Sequence, residues 1–190
     1  MNIQMRAKNI VTQPGQEWPV IAGETADVAG LLRDYAAPLS AIGAVCRWIG
    51  MSGVGLSLGY FGTYRVGFIR GFANTLVSWV LGLVGAWVAA IVIEKLAPTF
   101  KSSGNTTQAL KLVVYSSTPV WIAGVLNLIP ALSILVLIAA LYAVYLYYLG
   151  LPIVMKTPPD QVIPYMVVSA LVVFAAAVIV GVITSTLIRV

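Results

Sequence analysis

The longest charge-free segment of the chain covers residues 112 to 155, which include no Asp, Glu, Lys, Arg or His. A straight helix of that length would be about 66 Å long, about twice the thickness of a bilayer core. The segment must therefore fold back on itself. Pro130 supplies the break, because proline cannot donate the backbone hydrogen bond that a helix interior requires. Each arm is long enough to cross a membrane, so a transmembrane hairpin is predicted.

The remaining apolar segments lead to the same interpretation. The chain is 60% hydrophobic and 9% charged, with a mean hydropathy of +0.96, whereas soluble domains carry about 25% charged residues. Windows of about 20 residues predict five spans, at residues 36–58, 72–96, 109–129, 131–150 and 163–188. The predicted fold is an all-α polytopic transmembrane helix bundle with five spans and a short interfacial N-terminal helix. Residues 1–35 form the lead-in, and residues 36–190 form the five-span domain.

The odd number of spans places the two termini on opposite sides of the membrane. Residues 1–17 are polar and lack the apolar region of a signal peptide, so the first span must direct insertion. Seven basic residues lie on the N-terminal side of the predicted spans and three on the other side. Because cytoplasmic loops carry an excess of Lys and Arg, we expect a cytoplasmic N-terminus and a C-terminus on the opposite side.

The lead-in contains one predicted helix. Thr25 is a candidate N-cap, and apolar side chains follow at helical spacing at Val28, Leu31, Leu32 and Tyr35. Such a stripe fits the membrane interface, where Trp18 and Ile21 could lie in the same plane. The alternative is that the stripe packs against the bundle.

Composition also excludes several kinds of chemistry. The chain has one cysteine, Cys46, and no histidine, so an intrachain disulfide, the usual zinc sites and His-based triads are unavailable. The net charge of +5 is spread over the edges of the spans and forms no patch for nucleic acid. No nucleophile and base pair is visible. We therefore expect neither an enzyme nor a cofactor.

Arg47 is the one strong charge deep inside a predicted span, about 13 Å along the helix from Pro38. An ionisable group at that depth costs at least about 2.5 kcal/mol, so it should face protein or water or extend toward the interface. It is a candidate functional residue. The alternative is a structural tie to Glu94 or Asp34.

Hydroxyl and phenol groups are predicted to converge in the same half of the membrane. Pro119 frees a helical carbonyl near several hydroxyls in the third span, and tyrosines recur every three residues in the fourth. A ligand site or polar pathway is one interpretation, and a hydrogen-bonded seam between helices is the other. The candidate site comprises Arg47, Glu94, Tyr115, Ser116, Thr118, Pro119, Tyr142, Tyr145 and Tyr148.

Several segments resemble the YIP family of five-span membrane proteins, whose eukaryotic members are known as Ypt/Rab-interacting proteins. The most specific match is Tyr-Ser-Ser-Thr-Pro at residues 115–119, followed by Ile129-Pro130 and by residues 141–152. In the lead-in, residues 9–14 and 17–24 and the pair Tyr35 and Pro38 are also similar.

The resemblance implies an all-helical domain with a cytoplasmic N-terminus, and a role in membrane trafficking or shaping for the eukaryotic relatives. Those relatives generally carry a longer N-terminal region, so small-GTPase binding is not expected here. The short lead-in is similar to the prokaryotic branch and suggests a bacterial inner membrane.

Two functions remain as hypotheses. One is a non-catalytic protein that binds membrane partner proteins, lipids or further copies of itself. The other is a small-solute transporter or channel that uses the polar site around Arg47.

Overall fold

The computed structural model describes residues 2–57, 60 and 62–188, with side chains described as far as residue 175. The described chain is almost entirely helical. The α-helices are α1 (Ile3–Thr12), α2 (Pro14–Gly23), α3 (Val28–Gly30), α4 (Ala37–Ile49), α5 (Phe68–Leu96), α6 (Thr106–Ser116), α7 (Thr118–Ala123), α8 (Val136–Val154) and α9 (Val162–Ile188). Two short strands, β1 (Leu56–Ser57) and β2 (Thr63–Tyr64), pair antiparallel in the loop between α4 and α5.

Three helical segments are long and apolar enough to cross a membrane. They cover Phe68–Phe100, Thr106–Leu128 and Pro130–Val154, with mean hydropathies of 2.4, 1.4 and 2.2. They coincide with the second, third and fourth predicted spans. A shorter apolar helix, Val162–Ala175, is the described part of the fifth predicted span. The structure thus confirms an almost all-α chain with three membrane-capable helices, and the total of five spans stays a prediction.

The predicted break at Pro130 is confirmed. A 3-10 segment, Gly124–Leu128, ends at Ile129, which has an extended backbone, and a second 3-10 segment, Pro130–Leu135, leads into α8. The chain reverses here, because α6 and α7 both pack against α8. Proline is well placed at the start of the second segment, since its missing N–H would have no helical partner there.

The N-cap of the helix predicted in the lead-in lies two residues after its expected position. Asp27, and not Thr25, is the N-cap, because the Asp27 carboxylate accepts the Gly30 N–H at 3.1 Å. The helix then continues through a π-helical segment, Leu31–Ala36, directly into α4. In that segment the Ala37 N–H donates to the Leu32 carbonyl, five residues back, just before Pro38. A π-type turn accommodates the proline, which cannot make the next helical bond.

Two further helices, α1 and α2, precede this one and were not predicted. They form a helical hairpin that packs on α6, α7 and α8. Trp18 and Ile21 of α2 are fully buried, as is Tyr35 of the π-helical segment. The apolar stripe of the lead-in therefore packs against the bundle, which is one of the two alternatives left open by the sequence.

The main core lies at the end of the bundle where α1 and α2 dock. There the Trp18 ring lies against Gly150 of α8, where an added Cβ would come within 2.7 Å of both Trp18 and Leu112. Phe100 and Tyr165 stack with their ring centroids 4.8 Å apart. By contrast, large apolar side chains along α5 and α8 are exposed, as expected of surfaces that face lipid.

Candidate functional site

The Tyr-Ser-Ser-Thr-Pro segment forms a buried junction between α6 and α7. Tyr115, Ser116, Thr118 and Pro119 are all buried. Thr118 Oγ1 lies 2.9 Å from the Tyr35 hydroxyl, and the Tyr35 and Tyr115 rings are 4.7 Å apart. This part of the predicted polar site is thus brought together against the π-helical segment Leu31–Ala36, which supplies Tyr35.

The hydroxyls at this junction bond to carbonyls one turn earlier. Ser117 Oγ donates to the Val113 carbonyl at 2.8 Å, and Thr118 Oγ1 lies 3.4 Å from the Val114 carbonyl. Such contacts to the preceding turn are common for Ser and Thr inside helices, and they involve the Val113 and Val114 carbonyls rather than the Tyr115 carbonyl that Pro119 was predicted to free.

The three α8 tyrosines of the predicted site do not share one environment. The Tyr142 hydroxyl donates to the Val11 carbonyl of α1 at 2.7 Å, and its ring lies 5.7 Å from that of Tyr145. Tyr145 and Tyr148 are exposed. A step of three residues falls about 60° short of a helical turn, so side chains at this spacing rotate progressively off the packed face.

Glu94 and Asp34 are both paired with groups other than Arg47. Glu94 accepts a hydrogen bond from the Thr106 hydroxyl across the loop between α5 and α6. Asp34 pairs with the neighbouring Arg33, with 2.7 Å between Nε and Oδ1. Hydrogen bonding by Arg33 lowers the pKa of the Asp34 carboxyl. Within the described part of the chain, no carboxylate forms an ion pair with Arg47.

Arg47 instead lines a cleft between α4, α5 and α7 with the 3-10 segment that follows α7. The cleft has a volume of about 450 Å³, within the range of about 300–1,000 Å³ for small-molecule sites. Its polar wall residues are Ser40, Arg47, Trp48, Ser52, Asn74, Thr75, Ser78, Trp79, Trp121 and Asn127. We call this space the Arg47 cleft.

The floor of the Arg47 cleft depends on two glycines. A Cβ on Gly43 of α4 would lie 3.2 Å from the Gly124 Cα, and one on Gly124 would lie 2.6 Å from the Gly43 Cα. Only glycine permits two helix backbones to approach so closely. The two helices therefore meet along one edge, while α5 forms the opposite wall.

Two indoles are held by internal hydrogen bonds. Trp48 Nε1 donates to the Phe68 carbonyl at 3.0 Å, and Trp79 Nε1 donates to Ser40 Oγ at 2.9 Å. Ser40 Oγ in turn donates to the Ala36 carbonyl at 2.6 Å. These bonds join α4 to α5 and hold the two indole rings in place on the walls of the cleft.

The remaining polar groups in the cleft are not satisfied by the protein. Among the described residues, none of the side chains of Arg47, Asn74, Thr75, Ser78 and Asn127 has a hydrogen-bond partner. Ser52 Oγ is buried and also lacks one. The cleft therefore presents one cation and several neutral donors and acceptors to whatever occupies it.

Sequence reasoning missed the polar wall that α5 contributes. Asn74 and Ser78 lie at i and i+4 and share one helix face with Gly71 and Gly82, and Thr75 lies at its border. This polar and small face inside a span of high hydropathy is the signal that could have identified it.

A second polar cluster, also missed, adjoins the predicted site at Tyr115 and joins α1, α2 and α6. Arg6 forms ion pairs with Glu17 and Glu24, and its guanidinium lies 5.9 Å from the Tyr115 ring centroid. Burial opposes the charged guanidinium, but the two carboxylates outweigh it and raise the pKa of Arg6. Lys111 Nζ donates to the Ile21 carbonyl at 2.8 Å. We call these residues the Arg6 cluster.

The described residues offer no evident metal centre. No group of three or more His, Cys, Asp or Glu side chains in residues 2–57, 60 and 62–175 is placed to hold a metal ion. The lone Cys46 is half-buried.

Comparison with known proteins agrees with the architecture. The inner membrane protein YohC of Escherichia coli K12 is 24% identical over 146 residues, which are 75% of this chain and 75% of the relative. The protein of the same name from E. coli O6:H1 matches to the same extent. No solved structure matches. The model of the Yip1 domain matches residues 8–181, which confirms the resemblance drawn from the sequence, and the chain therefore belongs to the Yip1 family.

Proposed function

We propose that this Yip1-family integral membrane protein is non-catalytic and binds a membrane component, a lipid or a partner protein, through the Arg47 cleft. The observation that carries the proposal is the Arg47 guanidinium, which lines a cleft and lacks a carboxylate partner among the described residues. Arg47 is an exposed residue, so its guanidinium is accessible to a ligand in the cleft. A bound anionic or polar group there would pair with its charge.

The chemistry of the cleft supports binding over catalysis. Its polar lining consists of one guanidinium together with hydroxyl, amide and indole groups. A nucleophile with an adjacent base is the usual requirement of covalent catalysis, and the described lining residues supply no carboxylate or imidazole to act as that base.

We further propose five spans, a cytoplasmic N-terminus and a C-terminus on the opposite side of a bacterial inner membrane. The excess of basic residues on the N-terminal side supports this topology, and the relative's name supports the location. Reporter fusions at the two ends should be active in opposite compartments. Reporters active in the same compartment would contradict an odd number of spans.

The binding proposal is tested by in-cell crosslinking of the intact protein, followed by mass spectrometry. The wild-type chain, Arg47→Gln and Arg70→Gln are compared; Arg70 is exposed on α5 and does not line the cleft, so its change alters charge equally. We expect defined lipid or protein adducts that decline in Arg47→Gln only. Adducts that are the same in all three proteins would refute a binding role for the cleft.

The same unpaired cation also supports the second candidate, a transporter or channel for a small anionic solute. A transport role requires that Arg47→Leu abolish solute flux into liposomes while the protein remains folded. Unchanged flux would remove Arg47 from the path.

A further inference from the structure

We infer that the occupant of the Arg47 cleft is the phosphate of an anionic phospholipid headgroup, entering from the side of the membrane at which α5 begins. This inference rests on the proposed binding function of the cleft and names the ligand class.

The sign of the charge follows from the lining. Among the residues that the structure describes, Arg47 is the one charged residue that lines the cleft, and no ion pair between described residues neutralises it. An occupant with a net negative charge gains a charge-assisted hydrogen bond, which is about twice as strong as a neutral one. A cation would meet repulsion instead.

The number of hydrogen-bonding groups favours a phosphate over a single carboxylate. The guanidinium carries five N–H donors in a planar fork that matches phosphate oxygens. Asn74, Thr75 and Ser78 on α5 add amide and hydroxyl donors. Asn127 adds another amide from the 3-10 segment Gly124–Leu128. A phosphodiester with its glycerol esters has enough acceptor oxygens to use several of these groups together.

The apolar part of the lining favours a lipid as the source of that phosphate. Beside its polar groups the cleft is lined by the apolar side chains of Met51, Val66, Leu83, Val120 and Val136. Acyl chains attached to the headgroup could contact such side chains, whereas a free anion would leave them without an apolar partner.

The position of the cleft along α5 is also suitable for a headgroup. Trp48 bonds to the carbonyl of Phe68, the first residue of α5, whereas Ala90 and Ile93 near the other end belong to the main core. The cleft thus begins at one end of a helix that is long enough to span the membrane. Tryptophan and arginine are typical of this headgroup level.

The test is native mass spectrometry of the full chain in a neutral detergent, titrated with phosphatidylglycerol or with phosphatidylcholine. Four proteins are compared: the wild type, Arg47→Gln, Arg47→Lys and the matched control Arg70→Gln. We expect the first phosphatidylglycerol to bind the wild type about 10-fold or more tightly than phosphatidylcholine, the order expected of hydrogen bonds to charged groups. Arg47→Gln should abolish the preference, Arg47→Lys should retain part of it, and Arg70→Gln should leave it unchanged.

Free inorganic phosphate is added in a separate arm. Failure of millimolar phosphate to displace the lipid supports a headgroup, and displacement would overturn the lipid source. Equal affinity for the two lipids in the wild type would overturn the inference, as would equal effects of Arg47→Gln and Arg70→Gln. If the in-cell adducts still depend on Arg47 in that case, the binding function stands without the phosphate; if they do not, both fail.

Discussion

Replacing Arg6 by methionine should release the α1–α2 hairpin from the bundle. Arg6 and Glu17 are almost fully buried as side chains, with 8% and 11% exposure. Removal of one partner from such a pair leaves an uncompensated buried charge, which costs about 3–5 kcal/mol. Glu24, with 40% exposure, can be solvated where it lies, so Glu24→Gln should cost about 1 kcal/mol or less.

The release can be measured by cysteine labelling. Ala7 of α1 is 5% exposed, so Ala7→Cys in a Cys46→Ser background gives a thiol that reacts only when the hairpin opens. If opening and closing are fast relative to labelling, a cost of 3 kcal/mol raises the maleimide labelling rate about 100-fold. Arg33→Met is the matched control, because the Arg33 and Asp34 side chains are 81% and 57% exposed, and it should change the rate less than about 3-fold.

The double variant Arg6→Met with Glu17→Gln separates charge from packing. Removing both charges should recover most of the loss, because the buried carboxylate no longer lacks a counterion. A labelling rate in Arg6→Met equal to that in Arg33→Met would refute the view that a buried ion pair holds the hairpin. A double variant no better than Arg6→Met would assign the loss to packing.

Two further predictions use the same labelling assay. Gly150→Ala should destabilise the docked hairpin by about 1–3 kcal/mol, because its Cβ would come within 2.7 Å of Trp18. The control Gly85→Ala on α5, where nothing lies within 4 Å of the added Cβ, should have no such effect. Equal effects of the two variants would contradict the packing argument. Lys111→Met should raise the labelling rate at least about 5-fold. The substitution leaves the backbone carbonyls of Ile21 and Glu24 without their donor, at a cost of about 1–3 kcal/mol. An unchanged rate would show that water replaces the ammonium group.

The two missed helices show why the lead-in was harder to predict than the spans. α1 and α2 are each 10 residues long, and α2 contains Pro19. Isolated helices of this length are marginal in water. They form here because Ile10, Trp18 and Ile21 become fully buried against the bundle, and that burial depends on residues more than 80 positions away, such as Lys111.

The candidate site shows the same limit in a different form. The sequence predicted that Arg47 lies deep in a span and left open a functional role or a structural tie to Glu94 or Asp34. In the described structure Glu94 and Asp34 bond to other groups, and Arg47 lines a cleft together with Asn74 and Ser78. The depth at which a residue is expected in the membrane follows from its position along the predicted helix. Which groups share a cleft depends on the rotation and crossing of whole helices.

The sequence by itself determined the membrane-capable helices, the reversal at Pro130 and the family, because hydropathy and proline act locally and can be read in a window of about 20 residues. Tertiary structure alone decided that the lead-in docks on the core through the Arg6 cluster and that Arg47 faces α5. Both outcomes depend on contacts between side chains far apart in the chain, such as Gly43 against Gly124, and no local pattern specifies which helix faces will meet.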